Sequence, residues 1–231
     1  LNALTSNIAG FSLSMQAGTG IYVPLQVTDM LLTDNLIEKG DAFTQLALLF
    51  GNPNMRIIMH NGKYDLKVLY ANGLFNHIVN TKKNVQTALD QTQDFYICAQ
   101  IIDTMVAASL LEPDRYKFAL EALCEAKIGL KGTEFSDIVP KKSTFMDVPL
   151  DQAVKYAAED ADFTFQLWDY YEPLLKKAKL ENLFYKLEMP VLPILTKMEI
   201  EGIKIVPEEL ETYSDELAEE IEALDKEIYA E

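Results

Sequence analysis

The stretch Tyr156-Ala157-Ala158-Glu159-Asp160-Ala161-Asp162 lies inside the longest amphipathic segment of the chain, Asp151 to Leu180. That segment reads as a helix capped by Asp147 or Asp151. Tyr156 and Asp160 are spaced i, i+4, so both side chains project from one face. Asp162 falls about 200° around from Asp160 at 3.6 residues per turn and is expected on another face. Such spacing is common, and taken alone it fits an ordinary hydrogen-bonded pair. Farther along, Phe163, Phe165, Trp168, Tyr170 and Tyr171 are expected in the core.

Upstream, Ala9 to Met15 alternates apolar and small residues as a strand does, and Ile21 to Leu25 reads as its hairpin partner across Gly18 and Gly20. Asp41 to Phe50 carries a helical stripe. Met55 to Met59 has the length of a buried strand and stops at the His60-Asn61-Gly62 turn. Asp65 to Leu74 reads as the next helix, and an aspartate at a helix start is by itself a cap or a dipole partner. Phe75 to Gln93 lacks a period and reads as a long loop or insertion. Phe95 to Ile102 reads as a strand, Thr104 to Leu111 and Lys117 to Lys127 as helices, and Gly129 to Val148 as loop. From about Leu187 a second unit begins. Pro190 and Pro193 punctuate a helix there, Gly202 to Val206 is extended, and Pro207 opens an acidic helix. Strands interleaved with helices argue for an α/β domain.

Composition narrows the class without naming a chemistry. The chain has 231 residues, 49% of them hydrophobic, and a net charge of −16 that argues against nonspecific binding to phosphate backbones by charge alone. Cys98 and Cys124 form no CxxC pair and read as thiols rather than a disulfide or zinc site. His60 and His77 have no partner at metal-ligand spacing and read as structural. No phosphate-binding GxxxxGK[ST], GxSxG or HExxH motif occurs. No apolar run has the length needed to span a bilayer, and a cytoplasmic location is expected. The chain opens on Leu1 rather than Met, so it reads as a piece of something longer.

Two segments gain meaning when taken together. His60-Asn61-Gly62-Lys63-Tyr64-Asp65 resembles the second exonuclease motif of the family A DNA polymerases, which include bacterial DNA polymerase I, and Tyr156 to Asp162 resembles the third. Asp103-Thr104-Met105 with Leu110-Leu111 is similar to the helix linking them. Leu187-Glu188-Met189-Pro190-Val191-Leu192-Pro193 and Glu201-Gly202-Ile203-Lys204-Ile205 resemble the passage into the polymerase domain. The likeness covers nearly the whole chain in the right order. It implies a ribonuclease H-like exonuclease fold, a mixed sheet flanked by helices, over 1–186, with the start of a helical polymerase segment over 187–231.

The resemblance also implies two-metal hydrolysis of the terminal phosphodiester of DNA, acting on a single-stranded 3′ end. Asp65 and Asp160 would be metal-binding carboxylates for Mg²⁺ or Mn²⁺, with Zn²⁺ an option at one position, and Tyr156 would orient the attacking water. Phe135 matches an aromatic that packs on unpaired terminal bases, against the plain alternative of a core phenylalanine. Asn61 matches a residue close to the substrate, Lys117 or Arg115 a basic phosphate contact, and Leu1 a residue wedged near the substrate terminus. The rest of the polymerase chain is the expected partner, in a monomer.

The departures bear on activity. The family's first motif, Asp-x-Glu on a central strand, should lie just before Leu1, and the only Asp-x-Glu here is Asp225-Lys226-Glu227 on the terminal helix. Leu1 to Glu231 by itself is therefore expected to be inactive. The alternatives are a catalytically silent scaffold domain of such a polymerase and a free-standing ribonuclease D-like exonuclease. The segment from Leu187 to Val206 weighs against the latter.

Overall fold

A computed structural model describes residues 2–28, 36–82, 97–139 and 143–230. Strand β1 (Gly10–Leu13) pairs antiparallel with β2 (Ile21–Pro24), Gly10 opposite Pro24 and Leu13 opposite Ile21. Helix α1 (Lys39–Phe50) follows, burying Ala42, Phe43, Leu46, Ala47 and Phe50 along one stripe. Strand β3 (Arg56–Met59) then leads through Asn61 into α2 (Gly62–Ala71), and α3 (Leu74–Lys82) packs back on α1. Strand β4 (Gln100–Asp103) pairs parallel with β3, and α4 (Thr104–Leu111) begins at the very next residue. Next come α5 (Leu120–Ile128), the short α6 (Phe135–Ile138), a 3₁₀ turn at Phe145–Asp147, and α7 (Leu150–Lys177).

Four expectations are corrected. Among the described residues the strands form two separate two-stranded ladders, one antiparallel and one parallel, rather than one mixed sheet. What relates the ladders is α7, which packs against β1, β2 and β3. The expected loop from Phe75 instead continues α3, because Leu74, Phe75 and Ile78 are buried against α1 while polar neighbours mask their pattern; its remainder, 83–96, lies outside the described residues. Within Gly129 to Val148, α6 and the 3₁₀ turn interrupt the loop. Asp147 caps that turn by accepting from Thr144 N–H and Oγ1, so Pro149, not Asp147 or Asp151, stands at the start of α7.

Helix α7 organises the main core. Leu167, Trp168, Tyr171 and Leu175 are each at most 2% exposed, and Trp168 lies stacked on Phe184, with ring centroids 5.5 Å apart. After α7 come α8 (Glu181–Leu183), a π turn at Phe184–Glu188, and α9 (Met189–Glu201). The compact unit runs to Ile200, with Phe184, Met189 and Leu192 buried in the same core. The second unit, Glu201–Glu231, consists of an extended piece and α10 (Pro207–Ile228), which has no buried residue. No described helix is long and apolar enough to cross a membrane.

Candidate active site

The acidic run on α7 divides its labour by helical phase. Asp162 accepts the Gly18 N–H at 2.7 Å, holding the β1–β2 turn, while Gly20 sits so close to the Ala158 carbonyl that a Cβ would overlap it. Glu159 accepts the Thr133 N–H at 2.6 Å and so anchors the loop that leads to Phe135. Asp160 is left facing the Tyr156 side chain one turn away, and the two share a hydrogen bond in which the hydroxyl donates. Three neighbouring carboxylates on one helix thus serve two loops and one open face.

Asp65 stands on α2, within reach of the Asp160 charge. It lies one turn after Asn61, whose φ of 58° and ψ of 47° place it in the left-handed region that asparagine tolerates better than most residues. The Asp65 residue has exposed surface, but protein atoms crowd its carboxyl. That desolvation, followed by the charges of Asp103 and Asp160, pushes it up to about 7. Asp160 is likewise pushed up to about 7, by burial first; the Tyr156 hydrogen bond opposes the rise and the charges of Glu121 and Glu159 add to it. Burial and the Asp160 charge raise the Tyr156 hydroxyl far above its ordinary value, so it stays a donor. Asp65 therefore feels the charge of Asp160, a carboxyl far away in sequence. Such an acidic site favours a divalent cation. Among the described residues no three His, Cys, Asp or Glu side chains are grouped to hold a metal.

The remaining candidates separate cleanly. Phe135 is 40% exposed, not a core residue, and joins an aromatic cluster in which it lies near-parallel to Phe145 and edge-on to Tyr156, with centroids 6.3 and 6.2 Å away. Phe145, which sequence reasoning passed over, also touches Tyr22 and Tyr156. Asn61 is exposed at the mouth of α2. Of the two basic candidates, Arg115 is spent inside its loop, donating to the Lys117 and Ala122 carbonyls and to Glu112, whereas the Lys117 side chain is exposed. Leu1 lies outside the described residues.

The structural readings of other residues also stand. His60 is fixed through Nε2–H to the Phe118 carbonyl and through Nδ1 to Thr104 Oγ1, both at 2.8 Å. Neither cysteine forms a disulfide, and Cys124 is buried. The acid that the site reading missed is Asp103, whose buried carboxylate meets the Asn61-Gly62 turn. Only its place before a helix start marked it, as a cap.

Comparison with known proteins identifies the family. A family described as 3′-5′ exonuclease, of the DNA polymerase A type, matches residues 1–176. DNA polymerase I of Treponema pallidum is 34% identical over 86% of this chain and 21% of its own length, and that of Borreliella burgdorferi 32% over 99% and 22%. The DNA polymerase of Bacillus phage SP01 is 26% identical over 94% of this chain and 22% of its own. The chain therefore spans about a fifth of these relatives. A solved structure, the POL domain of Pol1 from M. smegmatis in complex with DNA primer-template and dNTP, shares the fold at a TM-score of 0.60 and 21% identity, over 89% of this chain and 28% of that one. The chain belongs to the 3′-5′ exonuclease domain family of the family A DNA polymerases.

Proposed function

We propose that this chain is the proofreading region of a family A DNA polymerase, with a ribonuclease H-like fold, and that it removes nucleotides from single-stranded 3′ ends of DNA. The observation that supports the reading is the charge of Asp160 acting on Asp65, which links residues from two motifs distant in sequence. Asp65 and Asp160 would hold the divalent cations, Mg²⁺ or Mn²⁺, with Zn²⁺ an alternative at one position. When bound, such a pair supplies charge stabilisation for the attacking and leaving oxygens of a displacement at phosphorus.

The chain's own residues would do the positioning. Tyr156 donates to Asp160, leaving its oxygen lone pairs to accept from a water and fix its direction. Phe135 offers its exposed ring to an unpaired base, a contact of about 1–3 kcal/mol. Asn61 and Lys117 flank the strand, with Lys117 set to meet a phosphate. The rest of the polymerase is the structural partner, in a cytoplasmic monomer, and residues 187–231 begin that segment.

The test is Tyr156→Phe in the full-length polymerase. Turnover on a single-stranded 3′ end should fall about 10- to 100-fold while affinity for the strand holds. Unchanged turnover would remove the tyrosine from the chemistry, and with it the reading of this helix face.

A further inference from the structure

Asp103 ends β4 with 2% of its surface exposed, where a carboxylate must be satisfied by a cation or by several donors. Donors satisfy it. Oδ1 accepts from Met105 N–H at 2.8 Å and Val106 N–H at 3.4 Å, the first turn of α4, and from Asn61 N–H at 3.2 Å. Oδ2 accepts from Gly62 N–H at 2.7 Å, the first residue of α2. Capping α4 uses only Oδ1. The second oxygen is given to the other helix.

We infer that Asp103 is a positioning residue for the exonuclease site, locking the Asn61-Gly62 turn to the end of β4 and so setting where Asp65 points. Asp65 stands one turn beyond Asn61 and Gly62, so a rotation of that first turn carries its carboxyl with it. The turn is tightly fitted: a Cβ on Gly62 would lie 3.1 Å from Met59 Cβ and Sδ and 3.5 Å from Asp103 Oδ2. Asn61 holds a left-handed conformation, and no side-chain cap of its own secures it. The lock is therefore Asp103, acting through two backbone N–H groups. Ligands of a metal pair must be held within about half an ångström of productive geometry, which is the task this carboxylate performs for Asp65. The inference rests on the reading of Asp65 as a metal-binding carboxylate.

Asp103→Ser separates the two jobs, because a serine still caps α4 but leaves Gly62 without its acceptor. In the full-length polymerase, Mn²⁺ binding without DNA is followed by the EPR signal of the free ion, beside hydrolysis of a single-stranded 3′ end and primer extension. Asp103→Ser should raise the Mn²⁺ needed for half-occupancy of the Asp65-dependent sites about tenfold. It should lower exonuclease kcat with KM nearly unchanged and leave primer extension intact. In an Asp65→Ala background it should cost nothing more, because its effect passes through that carboxylate. Wild-type Mn²⁺ affinity in Asp103→Ser, or a full further loss on top of Asp65→Ala, would overturn the inference while sparing the metal reading. Unchanged Mn²⁺ binding in Asp65→Ala alone would overturn both. If Asp103→Ser fails to fold, Gly62→Ala, which crowds the same turn and keeps the carboxylate, decides by the same measurements: weaker Mn²⁺ binding supports the lock, and wild-type binding refutes it.

Discussion

The two halves of α7 are built for opposite ends. From Phe163 to Leu175 the helix turns Phe163, Leu167, Trp168, Tyr171 and Leu175 into the core, and its buried contacts are chiefly apolar and aromatic, with Glu172 paired to Arg56 at the surface. From Ala153 to Asp162 it turns only two alanines fully inward and spends its polar side chains on the β1–β2 turn, the Thr133 loop and the acidic face. One half gains stability from burial. The other holds the Asp160 carboxyl, which burial pushes up to about 7. The difference teaches that a single helix can anchor a fold and carry a strained site, provided the two occupy separate lengths of it.

Substitutions in the two halves should therefore give crossed results. The largest effect is expected from Asp160→Asn, which should cut 3′-5′ hydrolysis on the order of 10³-fold by removing a cation-binding charge. Its melting temperature should hold or rise, since a crowded, raised carboxyl is gone. Loss of both activity and stability would break the division between the halves. Leu167→Ala should do the reverse. Removing a fully buried side chain should cost about 2–5 kcal/mol in denaturant unfolding, with exonuclease turnover per folded molecule unchanged. A fall in turnover well below the melting temperature would show that core and site are coupled.

The smallest effect sharpens the contrast through pH. Asp65 and Asp160 titrate near 7 in the native chain and near 4 when unfolded, so the native state holds protons that the unfolded chain has released between those values. Stability from these two groups is full below about pH 4 and is lost as pH rises towards about 7. His60, lowered by burial, works the other way, gaining stability as pH rises through about 6.5. Thermal melts between pH 5 and 8 without divalent metal should thus fall more steeply for wild type than for Asp65→Asn/Asp160→Asn. Addition of Mg²⁺ should recover stability at pH 8 in wild type alone. Parallel pH profiles for the two proteins would place the raised carboxyls elsewhere.

Much of this was legible in sequence because it is local. The i, i+4 spacing of Tyr156 and Asp160 and the opposite phase of Asp162 follow from helix geometry, and the structure keeps both. Thr104 to Leu111 is a helix over the expected span. The β1–β2 hairpin follows from alternation across two glycines. The burial of Trp168 follows from its place on an apolar stripe.

What sequence withheld depends on partners distant along the chain. Three apolar side chains of α3 were hidden among polar ones until α1 covered them. Phe135 was as compatible with the core as with the surface, and only the stack on Phe145 beside Tyr156 left its ring open. Arg115 and Lys117 were equivalent cations until the carbonyls of one loop consumed the first. Sequence by itself determined which residues share a helix face, because the backbone repeat is fixed by bonds between near neighbours. Only the tertiary structure decided that Asp103 turns its second oxygen to Gly62 and that Asp65 feels the charge of Asp160. Burial and charge act through space, and their partners are set by how the helices pack.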